Sequence, residues 1–454
     1  MIPPKPASRE GRVSLWRYAR LFRQDILSAQ PDRLYGALMA EFRTPFFRSC
    51  LLNDPALIDR VLGPEAADFP KSARVTEGLR PLLGRSVFVT NGAEWERQRR
   101  IIDPAFAGGR LRDLVPAMDG AARAAVGRLE GRAKGGAEVE IEAEASHAAA
   151  DVIFRTLFSI PIEHEIARTT FERFRAYQRA QPLLTLTALV PLPAWMPRFH
   201  SRRTRAAARD IRALIGTLVS ARAAGIAAGT APDDLATRVM TTADPLTGEA
   251  FTPAEMVDQV AIFFLAGHET SASTLAWALY LLATHPDAQD RVAAEVVGLP
   301  ENPDISDISR LSFTRDVMRE ALRLYPPVPM MVRENRCPVT FRGRELAPGT
   351  QVVLSPWHLH RHRRFWENPD QFDPGRWQAD AGRASARQAF MPFSAGPRVC
   401  IGAGFAMIEG VLLIARLVQA YRLSTSGPPP VPVAHLTVRA RDGIRLSLQP
   451  RNRP

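Results

Sequence analysis

Thr252-Pro253-Ala254-Glu255 opens a stretch with no helix breaker before Pro286, and no other feature limits the fold so tightly. Threonine followed three residues later by glutamate forms a capping box, and proline suits the first helical position. About 33 residues at 1.5 Å each span roughly 50 Å, enough to cross a whole domain. The segment is apolar on most faces, so its middle must be buried. Yet that middle carries His268-Glu269-Thr270. A helical threonine can bond back to the carbonyl four residues earlier, and a buried glutamate can pair with an arginine. Taken alone, Glu269-Thr270 fits a satisfied core slightly better than a functional pair.

Most of the remaining chain also has helical spacing. Short strands are expected at Val339–Phe341 and Thr350–Leu354, and at His435–Val438 with Ile444–Leu448. In the last of these, Ile444, Leu446 and Leu448 alternate with Arg445 and Ser447, the period of a strand. The expected class is mainly α with small β-sheets. Length alone suggests about three domains. No repeat, low-complexity block or polar linker divides the chain, so a single domain over residues 1–454 is expected.

Cys50, Cys337 and Cys400 are too few and scattered for a disulfide framework, a CxxC zinc site or a four-cysteine cluster. No signal peptide or bilayer-spanning stretch is evident. The most apolar candidate, Val257–Ala283, contains Asp258, His268 and Glu269. A cytoplasmic protein without a transmembrane anchor is expected. The formal charge of +12 admits an acidic protein partner, an anionic membrane surface or nucleic acid. No recognition helix or stacking motif supports nucleic acid.

The segment Phe393-Ser394-Ala395-Gly396-Pro397-Arg398-Val399-Cys400-Ile401-Gly402 precedes an apolar helical run, Ala403–Tyr421. Gly396 and Gly402 permit tight turns or close approach of a flat ligand. Cys400 lies just ahead of a helix N-terminus, with Arg398 two residues away, and both favour a thiolate. A buried free cysteine needs none of these neighbours. Cys50 and Cys337 lack them and read as ordinary.

On these residues the sequence resembles the cytochrome P450 family. The family's F-x-x-G-x-R-x-C-x-G loop is matched by Phe393, Gly396, Arg398, Cys400 and Gly402, with Ala406 in its extension. Ala266-Gly267-His268-Glu269-Thr270 matches its central-helix pattern, His268 filling a variable position. Glu320 and Arg323 match E-x-x-R, Arg376 the arginine completing that triad, and Trp95 and Arg99 match W-x-x-x-R. Gly375 and Trp377 depart from the residues commonest around the triad arginine. The resemblance spans essentially the whole chain and is closest to the soluble bacterial type.

The resemblance implies a haem b, ligated by Cys400, between the long central helix and the helix after the cysteine loop. It implies propionate contacts from Trp95, Arg99, Arg398 and Arg333, and close passage of the helix over the haem at Ala266 and Gly267. Glu320, Arg323 and Arg376 would be a structural ion-pair triad. Thr270, bent out of regular helix bonding, would hydrogen-bond bound dioxygen, and Glu269 would supply protons. The implied reaction inserts one oxygen atom into a small hydrophobic substrate, with O2 as oxidant. Fatty acid, terpenoid and steroid-like molecules all fit. Pocket contacts would come from Phe88, Val89, Leu186, Phe263, Val328, Met331 and Leu436, with Leu183–Pro191 as an apolar lid or membrane contact. Electrons would come from a separate ferredoxin or flavodoxin-type donor with its reductase, steered by Arg97, Arg100, Arg110 and Arg112. A peroxygenase and a catalytically silent haem protein are the rival readings.

Overall fold

The computed structural model describes all residues except 12, 44–47, 137, 181–200, 435–436 and 452–454. Its axis is the helix Pro253–Thr284. The capping box forms as expected: Glu255 N–H donates to Thr252 Oγ1 at 3.2 Å, and Thr252 N–H donates to Glu255 Oε2 at 2.8 Å. Pro286 then starts the next helix, Pro286–Val296. Helices Ile141–Phe158, Arg202–Ala227, Ser312–Leu324 and Ala403–Ala420 pack around the axis and bury it from Met256 to Ala283, apart from one stripe. A Cβ on Gly267 would lie 2.5 Å from Ile153 Cδ1. The missing side chain therefore lets helix Ile141–Phe158 close on the axis, a packing reason for Gly267 beside the one the resemblance implies.

Eleven strands form small sheets among the described residues. β1 (Met39–Arg43) pairs antiparallel with β2 (Arg48–Leu52), and β2 pairs parallel with β7 (Gln351–Leu354). β4 (Met331–Glu334) closes that sheet on the other side of β7. β3 (Glu138–Glu140), β11 (Arg445–Pro450) and β8 (Tyr421–Ser424) make a second sheet. β5 (Val339–Phe341) with β6 (Arg344–Leu346), and β9 (Pro432–Ala434) with β10 (Val438–Ala440), are two-stranded. Of the expected strand 435–438, residues 435 and 436 lie outside the described residues, and Val438 opens β10.

By length and composition one helix among the described residues, Ala403–Ala420, is apolar enough to cross a bilayer, although it is not free of charge. It carries buried Glu409 and Arg416 and packs against several other helices, among them the central one, so burial in protein accounts for its composition.

The triad forms in full. Arg323 Nε and Nη2 grip Glu320 at 2.8 and 2.7 Å, and Arg376 Nε reaches the same carboxylate at 3.0 Å. The remaining Arg323 donors bind the carbonyls of His360, Pro369 and Gln371. Burial acts to raise the Glu320 pKa, but the two guanidiniums and the Asp373 N–H outweigh it and hold the carboxyl below its ordinary value. The coil leading to the cysteine loop is thereby tied to helix Ser312–Leu324.

Candidate functional site

The stripe left open on the central helix is Phe263, Ala266, Gly267 and Thr270, at i, i+3, i+4 and i+7 and so on one face. Ala266 is exposed although its helix lies inside the molecule. The helix continues unbroken through this point, so the expected bend at Thr270 is absent. Its hydroxyl instead donates to the Ala266 carbonyl at 2.6 Å, the ordinary satisfaction of a helical threonine.

The cysteine loop leads into the helix Ala403–Ala420, which packs on the central helix; Phe106 links the two, with ring centroids 5.6 Å from Phe263 on the stripe and 6.5 Å from Phe405. The Cys400 N–H donates to the Phe393 carbonyl at 2.9 Å and Ala406 N–H to that of Gly402 at 2.8 Å, closing the loop onto the helix that follows. Ser394 and Gly396 both adopt positive φ, and a Cβ on Gly396 would sit 1.9 Å from the Leu62 carbonyl oxygen. Gly396→Ala is expected to cost about 3 kcal/mol, from left-handed strain and overpacking together, read as a drop in urea midpoint. By contrast, a Cβ on Gly402 would meet nothing within 4 Å. Cys400 has protein on most sides yet keeps an open surface, because it borders this free space. Burial raises its thiol pKa, with the Gly402 N–H and Arg99 opposing. Burial thus works against the thiolate that the helix N-terminus and Arg398 would favour, and a coordinated metal would offset it.

Cations gather beside the loop. Arg398 stacks on Trp95 at 4.1 Å and Arg99 reaches the same ring at 5.8 Å while donating to the Val399 carbonyl at 2.8 Å. Arg333 on β4 is buried, its pKa pushed down to about 10 by burial and then by Arg398. Arg398 is likewise pushed to about 10, by burial and Arg336, and its Nη1 has no hydrogen-bond partner among the described residues. Lys71, which the sequence gave no reason to select, joins them. Its Nζ donates to the Val87 carbonyl at 2.6 Å, and burial followed by Arg398, Arg333 and Arg99 holds its pKa well below the ordinary value. Asp103 pairs with Arg99 and Glu96 acts on Arg398, but the group as a whole remains short of negative charge. Such a set suits a ligand bringing carboxylates.

Among the described residues, no cluster of three or more His, Cys, Asp and Glu could hold a bare metal ion. Cys400 can thus supply one ligand to a metal that arrives with its others. A flat metallo-macrocycle with two carboxylates fits this donor set: one exposed sulfur, open space at Gly402 and a group of cations beside the loop.

Glu269 points away from the open stripe. Its Oε1 accepts from Thr437 Oγ1 at 2.9 Å and Arg439 Nε at 2.8 Å, and its Oε2 accepts from Gln178. Burial would raise its pKa, but Arg439, His268 and the Thr437 bond hold it below the ordinary carboxyl range. Of the expected pocket residues, Phe263 lies on the stripe, 5.6 Å from Phe106, and Val328 and Met331 are half-buried. Phe88 is 41% exposed, under Lys71, whereas Val89 is buried in the core. Leu186 and Leu436, with the run 183–191, lie outside the described residues.

The family profile described as cytochrome P450 matches residues 33–447. The cyclooctat-9-en-7-ol 5-monooxygenase of Streptomyces melanosporofaciens is 32% identical over 419 residues, 90% of this chain and 86% of that protein. Human cytochrome P450 4A22 is 29% identical, covering 88% of this chain and 79% of its own. The heme domain of a cytochrome P450DA mutant superposes with a TM-score of 0.80 at 26% identity, over 92% of this chain and 91% of that one. With the fold, the cysteine loop and the buried triad all in place, the chain belongs to the cytochrome P450 family of monooxygenases.

Proposed function

We propose that this chain works as one domain over residues 1–454, binds haem b through Cys400, and hydroxylates or epoxidises a small hydrophobic substrate. The observation that carries the reading is the exposed Cys400 at the head of the helix that packs on the central helix, with Arg99 bonded to its loop and Lys71, Arg333 and Arg398 gathered beside Arg99. Strand pairing of residues 49–52 with 351–354 supports a single unit.

When bound, haem supplies the oxidising chemistry, one atom of O2 entering the substrate and the other leaving as water. The protein's part is to hold, orient and protonate. Trp95 with Arg99, Arg333, Arg398 and Lys71 would pair with the propionates; Phe393, Gly396, Gly402 and Ala406 would shape the sulfur side. Thr270 would turn its hydroxyl from the Ala266 carbonyl toward the reacting oxygen, and Glu269 would pass protons after loosening from Arg439. Phe263, Val328, Met331 and Phe88 would meet the substrate. A fatty acid, terpenoid or steroid-like molecule suits these apolar walls, and the relative named for an alkenol substrate supports the same class. The carbon-monoxide complex of the reduced protein is expected to show the strongly red-shifted Soret band of a thiolate ligand. An unshifted, imidazole-type band would refute Cys400 ligation.

Electrons would come from a separate ferredoxin or flavodoxin with its reductase. Arg97 is paired with Glu255 at 2.8 Å and Arg100 with Asp244 at 2.6 Å, so these two are poor steering charges. Arg110 and Arg112 are exposed, flanking Leu111, whose Cδ1 lies against Gly404 at the start of the cysteine-loop helix. Arg110→Glu with Arg112→Glu is expected to lower the reduction rate about tenfold at low salt and less at high salt, measured by stopped flow.

A further inference from the structure

His268 occupies the variable position of the central-helix motif, yet its surroundings are specific. The ring is fully buried, with Phe264, Phe174 and Phe171 at centroid distances of 4.8, 6.1 and 6.2 Å. Nδ1 lies 2.6 Å from the Phe264 carbonyl oxygen. A carbonyl only accepts, so Nδ1 carries the proton, and the neutral ring presents a lone pair at Nε2. That nitrogen has no hydrogen-bond partner among the described residues and faces Glu269 Oε2 at 3.8 Å. Two acceptors facing each other in a dry interior leave room for one proton between them.

We propose that His268 is a proton-holding partner of Glu269, taking a proton at Nε2 and returning it to Glu269 Oε2. The inference rests on reading Glu269 and Thr270 as the pair that delivers protons to the reaction. On uptake of a proton originating in water, an N–H bond forms at Nε2. On return that bond breaks, an O–H bond forms at Oε2, and the ring is neutral again, with no electrons exchanged. Glu269 alone is a poor store, because Thr437, Arg439 and Gln178 all favour its carboxylate form. An imidazole beside it supplies a second proton site on the side away from Thr270's hydroxyl contact.

The charges facing the ring come from three elements. Glu269 on the same helix raises the proton affinity of His268; burial first, then Arg439 on β10 and Arg175 on helix Glu165–Ala180, lower it. Glu142, at the start of helix Ile141–Phe158, is pushed up to about 7 by burial and acts on Glu269 in turn. On that same helix, His147 meets Phe171 edge-to-face at a centroid distance of 5.6 Å.

The test is nitrogen-15 NMR of histidine-labelled holoenzyme in its diamagnetic reduced, carbon-monoxide-bound form, titrated from about pH 5 to 8, where imidazoles change charge. The His268 signal is assigned by its loss in His268→Asn. Nε2 is expected to protonate in that range, with the midpoint falling by about one unit or more in Glu269→Gln. In turnover, His268→Asn is expected to reduce product formed per electron pair several-fold and to change the pH profile of coupling, with the carbon-monoxide spectrum unchanged. A ring that stays neutral throughout, a midpoint indifferent to Glu269→Gln, or unaltered coupling in His268→Asn each overturns the proposal. If Glu269→Gln and Thr270→Ala also leave coupling intact, the proton-delivery reading beneath it falls as well.

Discussion

Replacing Glu320 by alanine is expected to destabilise the protein by about 3–5 kcal/mol, the cost of leaving buried cations without their counter-charge. Glu320 and Arg323 have no measurable exposure, and Arg376 is nearly as enclosed. Deleting the carboxylate strands two guanidiniums, which still bind carbonyls but lose the one buried anion they share among the described residues. Thermal or urea unfolding of the purified variant measures the loss directly. Haem content should fall in parallel, because the carbonyls of Pro369 and Gln371 belong to the coil that leads to the cysteine loop. Glu320→Gln should lose less, since its amide keeps one acceptor for Arg323. A variant as stable as the parent would show that the triad is packing without electrostatic consequence.

The second large effect is chemical. Glu269→Gln and Thr270→Ala are each expected to reduce coupled product formation about 10²-fold, the usual scale for removing a positioned proton-transfer group. Reducing equivalents should instead appear as peroxide or water. Product and peroxide measured against electron donor consumed separate this outcome from simple inactivation. Neither change touches Cys400 or the rim cations, so haem binding should survive. Thr270→Ala removes only a hydroxyl that bonds within its own helix, and its stability should be close to that of the parent. Glu269→Gln breaks the Arg439 pair, so its stability must be measured alongside.

What could be read from the sequence was local or motif-bound. The central helix announces itself through adjacent residues, Thr252 to Glu255 and the breaker at Pro286, and the structure places it within a residue of that reading. The cysteine loop and the E-x-x-R pair are compact strings whose spacing survives without tertiary knowledge. What stayed hidden depends on contacts between distant segments. Lys71 is one cation among 59 lysines and arginines until folding sets it beside Arg333 and Arg398. That Gly267 also makes room for Ile153 of another helix is invisible in the string. Two partners of Glu269, Thr437 and Arg439, lie just before and on β10 near the C-terminus, a strand too short for alternation to reveal. The same brevity hid β1 and β2, whose register is set by a partner strand far along the chain.

That last pairing has a consequence in time. Ser49 to Leu52 can complete their parallel ladder only when Gln351 to Leu354 exist. At about 5–20 residues per second, a ribosome needs roughly 15–60 s to make the intervening three hundred residues. For that interval the β1–β2 ribbon presents an open strand edge to every other nascent chain in reach. Glu41, flanked by Arg43 and Arg48 on the ribbon, breaks up that edge with charge before Arg344 arrives to join them. Such a chain must finish before its first sheet can close, so expression conditions that slow synthesis extend its exposure to aggregation.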